Sequence, residues 1–231
     1  MADDFCKFFD AMTAKYALKP TGKRKYHRSS TMSKAEVMLI MILFHDSGYR
    51  CFKHFYLEKV CKHLRHLFPN VVSYNRLVEL EREVAVPLIL FIKKVLLGKC
   101  TGISFVDSTP PLEYKAFVEF IQGKLFGDRG YIGKNLFQRL FVDGIQLITK
   151  LKSNMKGALM SVSDRLLLRK RAIIETVNDG LKNIAQVEHS RHRCFENFIV
   201  NLLGAIAAYC LFPKKPCINV QRTIDTQLTL F

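Results

Sequence analysis

The chain has 231 residues, 49% of them hydrophobic and 24% charged, which is enough apolar material for one good-sized core or two unequal domains and too much for a disordered chain. Its 36 Lys and Arg against 20 Asp and Glu leave a formal charge of +16, so the solvated surface carries a positive field whose natural partners are polyanions, nucleic acid foremost. The seven cysteines are odd in number and form no C-x-x-C pair, which reads as reduced core thiols of a cytosolic protein rather than a disulfide framework.

Met1 to Asp10 mixes Asp3, Asp4 and Asp10 with short apolar pieces, which does not read as a secretory leader. Lys19 through Arg28, with Pro20 and Gly22 among its charges, reads as an extended arm: Lys23, Arg24 and Lys25 either track a phosphate backbone or belong to a solvated linker. Ser33 and Glu36 then form an S-x-x-E capping box before Val37 to Phe44, with Gly48 where a helix would stop, so a helix is expected there. A second helix is expected over Phe52 to Leu67, before Pro69, and a third from a Ser73 cap to Leu97, kinked at Pro87. Three helices with a short break before the last resemble a helix-turn-helix, whose final helix would offer Tyr74, Asn75, Arg76 and Glu79 to a major groove; a plain helical bundle fits the pattern as well. Cys61, His63, His66 and His54 cluster in sequence, but helical spacing puts Cys61 and His63 on different faces and no second cysteine pair completes a tetrahedral zinc site.

From Gly102 the texture changes. Ile103 to Val106, Lys124 to Phe126 and Ile145 to Thr149 are short strand candidates, separated by helices over Leu112 to Gln122 and around Lys134 to Val142. Strand, helix, strand, helix, strand calls for a parallel sheet with helical crossovers, so the fold class is α/β, rich in helix. Met160 to Asn183 reads as one helix and Asn197 to Leu211 as a buried helix ended by Pro213; the run Phe198 to Phe212 is too short to span a bilayer. The chemistry predicts a helical domain over 1–98, an α/β domain over 99–213 and a polar tail over 214–231.

Three acids stand where chemistry would use them: Asp107 at the end of the first strand, Asp128 just past the second, and Glu175 inside a later helix. The carboxyl ends of parallel strands share one edge, so Asp107 and Asp128 should converge. Hard divalent cations favour such oxygen ligands and can drive phosphoryl transfer. Acids at strand ends also serve as helix caps and turn formers, so spacing alone leaves that alternative open.

The segments FVDST (105–109), FGDRGYIG (126–133), GIQLITKLKSNMK (144–156) and LLLRKRAIIETVND (166–179) resemble the DDE domain of bacterial insertion-sequence transposases. The resemblance implies an RNase H-like core in which Asp107, Asp128 and Glu175 are catalytic and bind Mg2+ or Mn2+. It also implies cleavage and strand transfer on double-stranded DNA, at element ends and target, by a homo-oligomer in the bacterial cytoplasm, associated with the nucleoid and not with membrane. A related signature sets Tyr, Arg, Glu and Lys around the glutamate. Arg171, Glu175 and Lys182 keep its spacing, whereas Leu168 stands at the tyrosine position. Separations of four and seven would place all three on one helical face, with Arg171 and Lys182 on DNA phosphates; an Arg171–Glu175 ion pair on a solvated face is the alternative.

The basic stretch Lys150 to Arg171, with Lys150, Lys152 and Lys156 at its start, and the run EHSRHR (188–193) extend the expected DNA contact, as does Arg76. Asp107 and Asp128 are only 21 positions apart, where the family places further strands. The core therefore reads as internally shortened, with its first strand left as an edge. Loss of those strands predicts weak or absent activity, because misplacing a metal ligand by about an ångström disables catalysis. Besides the enzyme, the chain fits a non-catalytic DNA-binding remnant that occupies element ends or inhibits full-length copies; a decayed open reading frame that makes no stable product is the third reading, and a basic RNA-associated protein is the bland one.

Overall fold

Ser33 opens the helix its sequence predicts: its hydroxyl accepts from the Glu36 backbone N–H while the Glu36 carboxylate accepts from the Ser33 N–H. The computed structural model describes residues 1–16, 30–98, 101–107, 118, 121–128, 133–150, 160–187, 194–217 and 228–229. By its internal contacts the chain divides into two units, Met1–Leu97 with Asp179–Pro213, and Gly98–Asn178 with Lys214–Phe231. The architecture is α/β and helix-rich.

Among the described residues the first unit contains helices and no strand. Helix α1 is Ala2–Tyr16 and α2 is Lys34–Asp46. Val37, Met38, Ile40, Met41 and Phe44 are all buried, so α2 is covered on nearly every side and forms the centre of the bundle. Each such side chain contributes roughly 1.5–3 kcal/mol on burial. Gly48, at φ 73, follows the helix end as predicted.

The second helix begins as α3, Phe52–His54, and widens into π-helical turns over Phe55–His63. Phe55 and Tyr56, adjacent in sequence, are both buried there; the Tyr56 hydroxyl donates to the Val72 carbonyl at 2.6 Å. The expected third helix is two. Helix α4, Tyr74–Glu83, is capped by Ser73, and α5, Ala85–Phe91, runs into π turns over Ile92–Leu96. The break falls at Val84 rather than at Pro87, because the proline ring excludes a helical carbonyl four residues earlier, at Glu83.

A single cut at residue 98 does not describe the division into units. The long helix that follows Cys194, Phe195–Leu211, packs against α2, α4 and α5; it is apolar on most sides and needs that cover. At Gly204 the approach to α2 is close: a Cβ there would lie 3.3 Å from both the Met41 Cβ and the His45 Cδ2. The thiols are less uniform than expected. Cys6 is buried, Cys61, Cys194 and Cys210 are half-buried, and Cys51 and Cys217 are exposed.

The second unit is built on a parallel sheet of three strands, β1 (Ile103–Phe105), β2 (Gly123–Gly127) and β3 (Ile145–Thr149), in the order β1-β2-β3. Register pairs Ile103 with Lys124 and Gly123 with Ile145. Among the described residues the first strand is an edge, as expected. Of the crossover helix expected over Leu112 to Gln122, only Val118, Ile121 and Gln122 fall within the described residues. Helix α6, Lys134–Val142, covers one face of the sheet: Leu125, Leu140 and Ile145 are buried together, with Val118, Ile121 and Leu136 against them. On the other face Phe126 and Ile148 pack with Leu167 and Leu168.

Leu167 and Leu168 belong to helix α7, Val162–Arg169, capped by Ser161. The single helix expected over Met160 to Asn183 is thus interrupted. Met160–Ser161 is a short strand, β4, paired antiparallel with β5, Leu228–Thr229, so part of the expected tail is ordered into a sheet. After α7 come a 3-10 turn, Lys170–Ala172, then α8, Ile173–Asp179, and π turns over Gly180–Ile184. Gly180 is where the widening starts, and a Cβ there would meet Tyr209 at 3.0 Å.

Glu81, on α4, is 3% exposed and its Oε1 has no partner among the described residues. Burial pushes its carboxyl up to about 8, from 4.5. Between those values the folded chain keeps a proton that the unfolded chain releases, so stability falls as pH rises from about 4.5 to about 8 and then levels off. Glu81→Gln should remove that slope and raise the melting temperature at pH 8, read by thermal melts across the range; a slope unchanged in the variant would contradict the assignment. Gly123 opens β2 at φ 77, and a Cβ there would lie 2.5 Å from the Gly102 carbonyl oxygen, which accepts from the Lys124 N–H at 2.8 Å. Gly123→Ala should therefore disrupt the pairing of β1 with β2 and cost on the order of 1–3 kcal/mol, measured by denaturant unfolding.

Candidate active site

Parallel pairing brings the ends of β1 and β2 to one edge. The ladder continues one bond past β1, since the Val106 N–H donates to the Phe126 carbonyl at 2.9 Å. Asp107 follows Val106 directly, and Asp128 follows Gly127 at the end of β2. Both aspartates are exposed.

Arg171 joins them. Its Nη1 lies 2.6 Å from Asp107 Oδ1 and its Nη2 lies 3.9 Å from Asp128 Oδ1; Nη1 also donates to the Val106 carbonyl at 3.4 Å. The arginine sits in the 3-10 turn directly after α7, so its place depends on how α7 is anchored. Leu167 and Leu168 bury that helix against the sheet. The Lys124 Nζ, from the central strand, donates to Asp164 Oδ1 at 2.7 Å, and the Asp164 side chain is only 10% exposed.

Residue by residue, the sequence-based site is assembled in part. Asp107 and Asp128 come together with Arg171. Glu175 is exposed on α8 and takes part in no ion pair among the described residues. Arg171 pairs with the two aspartates and not with Glu175. The one-face placement of Arg171, Glu175 and Lys182 assumed an unbroken 3.6-residue period. A 3-10 turn at Arg171 and π turns around Lys182 alter that period. Among the described residues no group of three or more His, Cys, Asp and Glu side chains gathers so as to hold a metal ion, neither the acid triad nor the cluster of Cys61, His54, His63 and His66. The donor chemistry fits in part: two hard carboxylates lie about one cationic group, as they would about a divalent ion, but the third ligand is not gathered with them.

Of the expected DNA contacts, Lys150 and Lys182 are exposed, and Arg76 pairs with Glu79 at 2.7 Å. Tyr74, expected in a groove, packs into the helical core instead, because its ring meets Phe52 and Tyr56. Lys23, Arg24, Lys25, Lys152, Lys156 and the run 188–193 lie outside the described residues. Sequence reasoning missed the Lys124–Asp164 pair and Gly123. A lysine inside a central strand written GKLFG was the available signal, since a charge there needs a partner. Leu168, where the related signature has tyrosine, is buried under the sheet, so this position serves packing in the present chain.

No helix among the described residues is long and apolar enough to cross a membrane. Residues 111–195 match the family model of a transposase DDE domain; the range takes in Asp128, Arg171, Glu175 and Lys182 and begins just after Asp107. No curated protein and no solved structure matches the chain. Over residues 111–195, somewhat more than a third of its length, the chain is similar to transposase DDE domains.

Proposed function

We propose that the chain is a transposase that cleaves and joins double-stranded DNA at the ends of an insertion sequence, through an RNase H-like core reduced to three parallel strands. The observation that carries this reading is the meeting of Asp107 and Asp128 about Arg171 at neighbouring strand ends, in a chain similar over residues 111–195 to transposase DDE domains. Asp107, Asp128 and Glu175 are its catalytic acids, and Asp107 and Asp128 would hold Mg2+ or Mn2+ with Glu175 brought in from α8. A divalent ion there supplies an activated water or 3′ hydroxyl and stabilises the leaving oxygen. Lys150, Lys152, Lys156, Arg171 and Lys182 contact DNA phosphates, as do Lys23, Arg24, Lys25 and Arg76. The protein acts as a homo-oligomer on DNA, in the bacterial cytoplasm at the nucleoid. Among the described residues β1 has no neighbour on its outer side, and with the short interval between Asp107 and Asp128 this favours weak activity.

A second reading, a non-catalytic remnant that binds element ends, is favoured by the place of Glu175 outside any three-ligand group. The two readings separate on a duplex carrying the element's terminal repeats. The enzyme reading expects slow Mn2+-dependent nicking and joining, reduced roughly 100-fold or more by Asp107→Ala, Asp128→Ala or Glu175→Ala, with DNA binding in Ca2+ unchanged. If no metal-dependent product forms, the enzyme reading fails and the remnant stands, provided that gel shifts still show binding that weakens steeply with salt. Neutralising Lys150, Lys152 or Lys156 should each lower the slope of log K against log salt by about one.

A further inference from the structure

Two carboxylates at the ends of adjacent parallel strands, about 5 Å apart in backbone spacing, repel by about 1–3 kcal/mol across a half-solvated gap. Asp107 and Asp128 are in this position, and the guanidinium of Arg171 stands against both, at 2.6 Å from one carboxylate and 3.9 Å from the other. The arginine has a fixed base. Its turn follows α7, which is held by Leu167 and Leu168 beneath the sheet and by the Lys124–Asp164 ion pair. Its own grip, however, is light. One contact is close and the second is long. The three side chains also keep 26%, 41% and 49% of their surface in solvent for Arg171, Asp107 and Asp128, and exposed pairs of this kind contribute at most about 1 kcal/mol each.

We infer that Arg171 is a resident counter-ion of the aspartate pair: it keeps Asp107 and Asp128 together while no metal is bound, and a divalent ion must displace it to bind. Arg171 is in this sense a positioning residue, acting through the two aspartates. Its guanidinium is permanently charged and presents two nitrogens in one plane, which allows one side chain to face two carboxylates. A lysine could not make that fork. Displacement also frees a cation within reach of the site, where a DNA phosphate can take the place of the carboxylates as its partner. The inference rests on the reading of Asp107 and Asp128 as metal ligands.

The test measures Mn2+ affinity of the full chain, by titration calorimetry and by the electron paramagnetic resonance of free Mn2+, in the absence of DNA. Arg171→Gln should bind Mn2+ roughly tenfold more tightly than the unaltered chain, which is the affinity equivalent of removing a competitor worth about 1.4 kcal/mol. Arg171→Lys, which keeps the charge and loses the fork, should fall between the two. Asp107→Asn should weaken binding both alone and combined with Arg171→Gln. Circular dichroism checks folding, and if Arg171→Gln fails to fold then Arg171→Lys decides, an affinity equal to or below that of the unaltered chain overturning the inference. Equal or weaker Mn2+ binding by a folded Arg171→Gln overturns it as well. If Asp107→Asn leaves Mn2+ binding untouched, or no form binds Mn2+, the metal reading itself fails and the inference falls with it. A loss on Asp107→Asn with no gain on Arg171→Gln defeats the inference alone.

Discussion

Carboxylates placed side by side at strand ends need a cation, and in this protein the geometry of the sheet creates that need. The parallel register of β1 and β2 sets Asp107 and Asp128 at one edge, and Arg171 answers with a contact to each. Much of the second unit serves that meeting. Gly123 lets β2 begin close against Gly102, and Lys124 reaches from the central strand to Asp164. Leu167 and Leu168 press the intervening helix onto the sheet, so the turn that carries Arg171 starts from a rigid support. The Asp164 side chain is the buried member of the pair, and burying its charge is costly unless paired; here the pair also fixes a helix.

The helical unit follows a different economy. Its stability comes from a helix, Lys34–Asp46, buried nearly all round, and from the return of Phe195–Leu211 to the same bundle. Such cores tolerate few polar atoms, which makes Glu81 notable: a carboxyl almost wholly enclosed is held neutral at ordinary pH by the cost of desolvating its charge. The groove-reading face expected of a helix-turn-helix is partly used up by packing, since Tyr74 turns inward to Phe52 and Tyr56.

Departures from a DDE pattern in this chain have local physical reasons. A leucine at the tyrosine position is explained by its burial beneath the sheet. Among the described residues β1 stands at the edge of the sheet, next to β2 alone. The separation of Glu175 from the aspartate pair goes with a helix that changes pitch on both sides of it, from a 3-10 turn at Lys170–Ala172 to π turns at Gly180–Ile184.

Local chemistry was legible in the sequence. The Ser33–Glu36 box, the stop at Gly48, the spans Lys134–Val142 and Ile145–Thr149, and the parallel order that gathers Asp107 and Asp128 all depend on neighbours a few residues apart or on the handed rules of strand connection. What the tertiary structure alone decided lies across long separations. Arg171 is 64 residues from the aspartate it meets, and Lys124 is 40 from Asp164. The periodicity of Arg171, Glu175 and Lys182 pointed to one shared face, but a helix keeps its pitch only where packing permits. Tight approaches such as that of Gly180 to Tyr209 are set by the fold, because sequence spacing records the repeat of a regular helix and not the contacts that distort it.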